Sequence, residues 1–174
     1  VTLEQLTKLN KATTGAITLN VPVDFVGTST EILTAIAGDI NFGTPGNIVI
    51  TNNNYTLAQL NAISKAGAIE LSNASVALSG SATELEVLFD IANYAGAITV
   101  TGKPSLDDLK DIAEYTTGAI KLANTSVALS GTAAELAAML PNLAGYKGAV
   151  TVNDAITLAQ LKAINNATTG KITF

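Results

Sequence analysis

Apolar residues recur along this chain in two rhythms that take turns. One is helical. Leu158, Leu161 and Ile164 form a single stripe on a short helix, and Leu57, Leu60 and Ile63 repeat it a hundred residues earlier. The other is a strict alternation over four residues, in the runs AITL, AIEL, AITV, AIKL, AVTV and KITF. There Ile17/Leu19, Ile69/Leu71, Ile98/Val100, Ile120/Leu122, Val150/Val152 and Ile172/Phe174 face one way. Thr18, Glu70, Thr99, Lys121, Thr151 and Thr173 face the other. Such a run is a strand with one buried face.

Each helical stripe is announced by the same punctuation, a Ser or Thr followed three residues later by Gln, Glu or Asp. The pairs are Thr2/Gln5, Thr28/Glu31, Thr56/Gln59, Ser81/Glu84, Ser105/Asp108, Thr132/Glu135 and Thr157/Gln160, at intervals of 26, 28, 25, 24, 27 and 25 residues. This is the capping box, in which hydroxyl and carboxyl or amide side chains satisfy backbone N–H groups reciprocally. Asp108, with its short side chain, is the weakest member. Gly15, Gly67, Gly96, Gly118, Gly148 and Gly170 follow the helical stretches and are predicted to end helices as left-handed C-caps. Pro141 is placed to break the sixth helix.

The units alternate between two kinds. One begins near 2, 56, 105 and 157 and reads TLxQLxxI. The other begins near 28, 81 and 132, reads VxLSGxxxEL in its clearest copies, and carries an extra apolar alternation before its box: Val23/Phe25, Val76/Leu78 and Val127/Leu129. These pairs predict a second short strand. The first copy of this kind diverges, and DINFGTPGN (39–47) reads as a loop substituted into it.

A helix-strand unit of about 26 residues cannot bury its own apolar face, whereas stacked neighbours can. The expected fold is therefore an α/β solenoid of about seven units in one domain over residues 1–174, leucine-rich-repeat-like, with parallel strands and right-handed crossovers. Strand rows stack at about 4.8 Å and helices at about 8–10 Å, so the stack should curve, less than a horseshoe because of the extra strands. A doubly wound sheet with helices on both faces is the competing topology.

Composition narrows the chemistry. Hydrophobic residues make up 48% of the chain but aromatics 5%, so the core is aliphatic. The net charge of −5 argues against nucleic acid as a partner. With no Cys and no His, disulfides, thiolate sites, imidazole catalysis and most zinc sites are excluded. No apolar run is long enough to span a membrane. The chain does not begin with Met and starts and stops in phase with its repeat, as a segment of a longer array would; head-to-tail association of copies is the other expectation.

The remaining polar residues have structural roles that compete with chemical ones. Asp107, Asp108 and Asp111, with Lys103 and Lys110 nearby, read as a solvated helix face before a cation site. Glu31, Glu84 and Glu135 are accounted for by capping. Asn52–Asn54 and Asn153–Asp154 follow strands. They can serve as turn residues or, less favourably, as oxygen ligands for calcium. Ser79 and Ser130, in LSG, have no base to activate them. The outward row Thr18, Val49, Glu70, Thr99, Lys121, Thr151, Thr173 is too interrupted for an ice-ordering lattice but could face a glycan or protein. Tyr55, Tyr94, Tyr115 and Tyr146 could be stacking platforms, though Tyr94 and Tyr146 sit at matching places, as packing residues do. Asn54, Asn73, Asn124 and Asn166 begin Asn-x-Ser/Thr triplets. No catalytic, cofactor-binding or metal-binding residue is assigned, and no enzyme is expected.

The phrases LSGTAAELAAML, YKGAVTV, TLAQLKAINNATTG and NTSVALSG resemble repeats of giant, low-charge, Thr/Ala/Gly-rich cell-surface proteins of marine unicellular cyanobacteria. That resemblance implies an extended extracellular or surface-attached protein, and it brings no catalytic residue. The expected function is structural: a rigid spacer or filament-forming repeat, with an adhesion module as the alternative.

Overall fold

All seven capping boxes close. The computed structural model, which describes Val1–Phe174, contains helices α1 (Leu3–Ala12), α2 (Ser29–Ile36), α3 (Leu57–Ile63), α4 (Ala82–Leu85), α5 (Leu106–Tyr115), α6 (Ala133–Met139) and α7 (Leu158–Ala167). Each begins directly after its Ser or Thr, with both reciprocal bonds formed. Asp108 caps despite its short side chain: Ser105 N–H donates to its Oδ2 at 2.8 Å. Pro141 does what was expected. Helix α6 stops at Met139, and a 3-10 turn over Leu140–Asn142 carries the proline, whose missing N–H costs nothing at a helix start. Helix α4 gives way after four residues to a 3-10 turn at Glu86–Asp90.

Between the helices run eleven short strands: β1 (Ile17–Leu19), β2 (Phe25–Gly27), β3 (Ile40–Phe42), β4 (Gly46–Ile50), β5 (Gly67–Leu71), β6 (Leu78–Gly80), β7 (Ile98–Val100), β8 (Ile120–Leu122), β9 (Leu129–Gly131), β10 (Val150–Val152) and β11 (Ile172–Thr173). Every pairing is parallel, and paired residues lie between 20 (Leu78 with Ile98) and 23 (Phe25 with Ile48) positions apart. One helix lies within each such interval, as a parallel crossover requires.

The chain divides into two compact units. The first comprises Val1–Val76 and Val87–Asn93. It holds the pair β1-β3 and the sheet β2-β4-β5, with α1 packed on α2 and α2 on α3. The second comprises Ala77–Glu86 and Tyr94–Phe174. It holds the sheets β6-β7-β8 and β9-β10-β11, with an isolated parallel bridge from Ile120 of β8 to Leu143 after the sixth helix, and α4, α5, α6 and α7 packed in succession. The fold is thus mixed α/β, with small open parallel sheets. Most inward strand positions are buried, among them Ile48, Ile50, Ile98 and Val150, all fully enclosed, whereas Ile40, Phe42, Leu71 and Ile172 are half-buried and Phe174, expected on the buried face, is exposed. The opposite positions Thr18, Glu70, Ser79, Lys121, Ser130 and Thr151 are exposed, so no helix layer covers that face, unlike in a doubly wound sheet.

Four expectations need correction. The glycines are not left-handed C-caps: positive φ occurs at Gly38, Gly102 and Gly145, and the helix C-caps are Thr13, Ala37, Ser64, Glu86, Thr116, Leu140 and Thr168. Instead, Gly67, Gly118 and Gly170 lie where the backbone closely approaches that of the preceding strand or loop. A Cβ on them would fall on the carbonyl oxygens of Gly46, Gly96 and Gly148 respectively. DINFGTPGN is not a substituted loop. Its Ile40–Phe42 pairs with β1, and its Gly46-Asn47 opens β4. The extra strands begin at Phe25, Leu78 and Leu129, with Val23, Val76 and Val127 outside them. Finally, the stripe of the last helix is unequal. Leu57, Leu60 and Ile63 are all buried, but in α7 Ile164 alone is, and Leu158 stands 83% exposed.

Candidate functional site

The outward strand face is the surface a partner could reach, so its residues come first. The register aligns Val26, Val49 and Glu70 across one sheet, Ser79, Thr99 and Lys121 across the next, and Ser130, Thr151 and Thr173 across the third. Thr18 lies opposite Asn41. The rows mix apolar, acidic, basic and hydroxyl groups. Asn47 Nδ2 reaches Glu70 at 3.2 Å, the one side-chain bond joining neighbouring strands of this face.

Among the other polar side chains singled out by sequence, Asn52 and Asp154 bond the helix before them. Asn52 Oδ1 accepts the N–H of Ser29 at 2.8 Å, and its Nδ2 donates to Asn54 Oδ1 at 2.6 Å. Asp154 Oδ1 does the same for the N–H of Ala133 at 2.7 Å. Each side chain thus supplies a partner to a free N–H in the first turn of the preceding helix, α2 or α6. Asn73 and Asn124 accept the N–H of Ser75 and Ser126, closing turns. No group of three or more Asp, Glu, His or Cys side chains is placed to hold a metal ion.

Glu31, Glu84 and Glu135 all close their caps, and hydrogen bonds from Thr28 and Ser81 hold the first two carboxyls below the usual range. Glu135 does more. Lys110 Nζ on α5 lies 2.6 Å from its Oε1 and 3.3 Å from Asp107 Oδ1. The lysine, followed by Thr132, pushes Glu135 down to about 2, and the two carboxylates raise Lys110. Asp108 is occupied by the N–H of Ser105, the capping residue of α5, and Asp111 is exposed, so the acidic residues of this helix are not gathered into one site. Tyr55, Tyr94 and Tyr146 are buried and cannot serve as platforms. Tyr55 Oη donates to Asn73 O at 2.6 Å. Tyr146 Oη bonds Val127 O at 2.8 Å, and burial raises it to about 12. Tyr115 is half-buried.

Ser79 and Ser130 lie on exposed outward positions. Ser130 borders an open groove of about 620 Å³ in the second unit, together with Lys103, Ser105, Asp107, Asn124 and Ser126. The groove joins the loop before α5 to the loop before β9.

Sequence reasoning missed three bridging groups. Thr116 and Thr168 are buried, and their hydroxyls donate to the carbonyls of Gly96 (3.2 Å) and Gly148 (2.7 Å), each 20 residues earlier, while accepting the N–H of Gly118 and Gly170. The signal was present as the tripeptide Thr-Thr-Gly at 13–15, 116–118 and 168–170. Asn10, whose Nδ2 donates to Ala35 O at the end of α2, had no such signature. No protein-family model, curated protein or solved structure matches this chain.

Proposed function

We propose that this chain is a structural protein: an α/β solenoid of about seven helix-strand units that serves as a rigid spacer or assembly element at a cell surface or in the extracellular space, and is not an enzyme. The observation that carries the reading is where the polar side chains go. Asn52, Asp154, Thr116, Thr168, Lys110 and Glu135 each bond a neighbouring helix-strand unit, so these six side chains are engaged in stacking. The parallel rungs between coils, with apolar residues inside and glycines at the closest approach, support the same reading. The resemblance to cyanobacterial surface repeats supports the location.

The groove beside α5 favours a second reading, adhesion to a glycan or protein through the exposed strand face. Replacing Thr99, Lys121 and Thr151 together by Ala, with Lys103→Ala added, separates the two. The protein is displayed between a surface anchor and an epitope tag and screened against glycans and cell surfaces. The spacer reading expects no ligand whose capture depends on those four residues, an intact fold and an accessible tag. A bound ligand lost with the four substitutions, while the fold survives, would replace it with the adhesion reading.

A further inference from the structure

We propose, resting on the adhesion reading above, that the open groove beside α5 is a docking site for a tyrosine side chain of a partner polypeptide. The fold contains the same place twice, once filled and once open. In the first unit it lies between the residue before the cap of α3 and the turn that follows β5. In the second it lies between the residue before the cap of α5 and the turn that follows β8. The two turns are nearly identical, NASV at 73–76 and NTSV at 124–127. Asn73 Oδ1 and Asn124 Oδ1 accept the N–H of Ser75 and Ser126, each at 3.0 Å, so the turns also share a conformation.

The residue before the cap differs. In the first unit it is Tyr55, in TNNNYT (51–56). In the second it is Pro104, in the shorter TGKPS (101–105). Tyr55 is 2% exposed, and its Oη donates to Asn73 O at 2.6 Å and has a hydrogen bond with the Val76 backbone. A buried phenol needs such partners for its hydroxyl, and the turn supplies them. Proline is shorter and has no hydroxyl. There the groove of about 620 Å³ opens, lined in part by Pro104, Asn124, Ser126 and Val127, the counterparts of Tyr55, Asn73, Ser75 and Val76. Exposure follows the same difference: Asn73, bonded by Tyr55, is half-buried, and Asn124 is exposed. Val127 N–H reaches Asn124 O at a long 3.4 Å. The open copy thus keeps the carbonyl that takes a phenol hydroxyl in the filled one, and its volume lies within the range of about 300–1,000 Å³ usual for ligand sites.

The occupant is a tyrosine from outside residues 1–174. Tyr55, Tyr94 and Tyr146 are buried and Tyr115 is half-buried, so a second copy has no exposed tyrosine to insert. A sugar ring would bring several hydroxyls to a place where the filled copy uses one.

Titration of N-acetyltyrosine amide into the isotope-labelled protein, followed by amide NMR, tests the assignment. Shifts should saturate with a dissociation constant of about a millimolar and centre on Ser105, Ser126 and Val127. N-acetylphenylalanine amide, which lacks the hydroxyl, should bind about three- to tenfold more weakly. Ser75 should not respond, since Tyr55 fills its side of the first unit. Two variants block the groove: TGKPS at 101–105 replaced by TNNNYT, which supplies a resident ring, and Ser126→Trp, at an exposed position on the lining. Each should weaken binding at least about tenfold with circular dichroism unchanged. Absence of saturable shifts in the millimolar range, shifts that persist in the blocked variants, or equal binding of the tyrosine and phenylalanine amides overturns the proposal. An equal response to methyl glucoside would give the groove to a glycan and overturn it as well. A surface ligand lost with the four substitutions above but retained by the loop replacement would overturn it while leaving the adhesion reading standing.

Discussion

Thr116→Val removes one hydroxyl and keeps the shape of the side chain. That hydroxyl is buried, with the residue 8% exposed, and it joins two coils: it donates to Gly96 O at 3.2 Å and accepts Gly118 N–H at 2.8 Å. Valine leaves both backbone groups without this partner. Gly96 is buried, so its carbonyl cannot turn to water, at a cost of about 1–3 kcal/mol; Gly118 is half-buried, and its N–H loses about 0.5–1.5 kcal/mol. Together the variant should lose about 2–4 kcal/mol. Thr13→Val is the internal control. It has the same sequence context, but its exposed hydroxyl bonds Gly15 N–H alone, so the loss should stay within about 0.5–1 kcal/mol. Urea unfolding followed by circular dichroism at low protein concentration gives both values, provided the denaturant slopes match. Equal midpoint shifts for the two variants would refute the claim that the Thr-Thr-Gly hydroxyl fastens one coil to its predecessor.

Other substitutions read different parts of the account. Leu109→Ala, at a fully buried site in α5, should cost about 2–5 kcal/mol, whereas Leu158→Ala in α7 should fall within about 0.5 kcal/mol when both are measured by urea unfolding in dilute protein. Asp154→Ala removes the acceptor of Ala133 N–H and should cost about 0.5–2 kcal/mol by the same assay, with Asp154→Asn restoring most of it. The Lys110–Glu135 pair predicts a pH dependence. Glu135 is lowered from 4.5 to about 2, so its contribution is complete above about pH 4.5 and is lost as pH falls through 2. Unfolding midpoints of Lys110→Met should therefore fall less steeply than those of wild type across that window, and equally steep curves would show that the pair is not coupled to folding.

The capping boxes made the helix starts legible because a cap is local: hydroxyl, backbone and carboxyl lie within four residues, and all seven boxes form. The alternating strands were legible for the same reason, with Ile98 and Val100 inside and Thr99 outward. What misled was contact between coils. Gly118 follows a helix and reads as a C-cap, yet the constraint on it comes from the carbonyl of Gly96, 22 residues away. Ile40 and Phe42 alternate about Asn41 as strand residues do, but the Gly43–Gly46 stretch with its proline reads as a loop, and the pairing that makes them a strand comes from β1, 23 residues earlier. Asn52 and Asp154 lie in the connections that follow strands, but their partners, the first-turn N–H groups of α2 and α6, are more than 20 residues earlier and leave no local trace.

The proposed function requires that neighbouring helix-strand units hold one another, with no single cooperative core along the chain. Single-molecule pulling between residues 1 and 174 tests it most directly. Stacked coils should come apart in successive steps, each releasing one or two units of about 26 residues, or about 90 Å of contour per unit. Rupture of the whole chain in one event would contradict it.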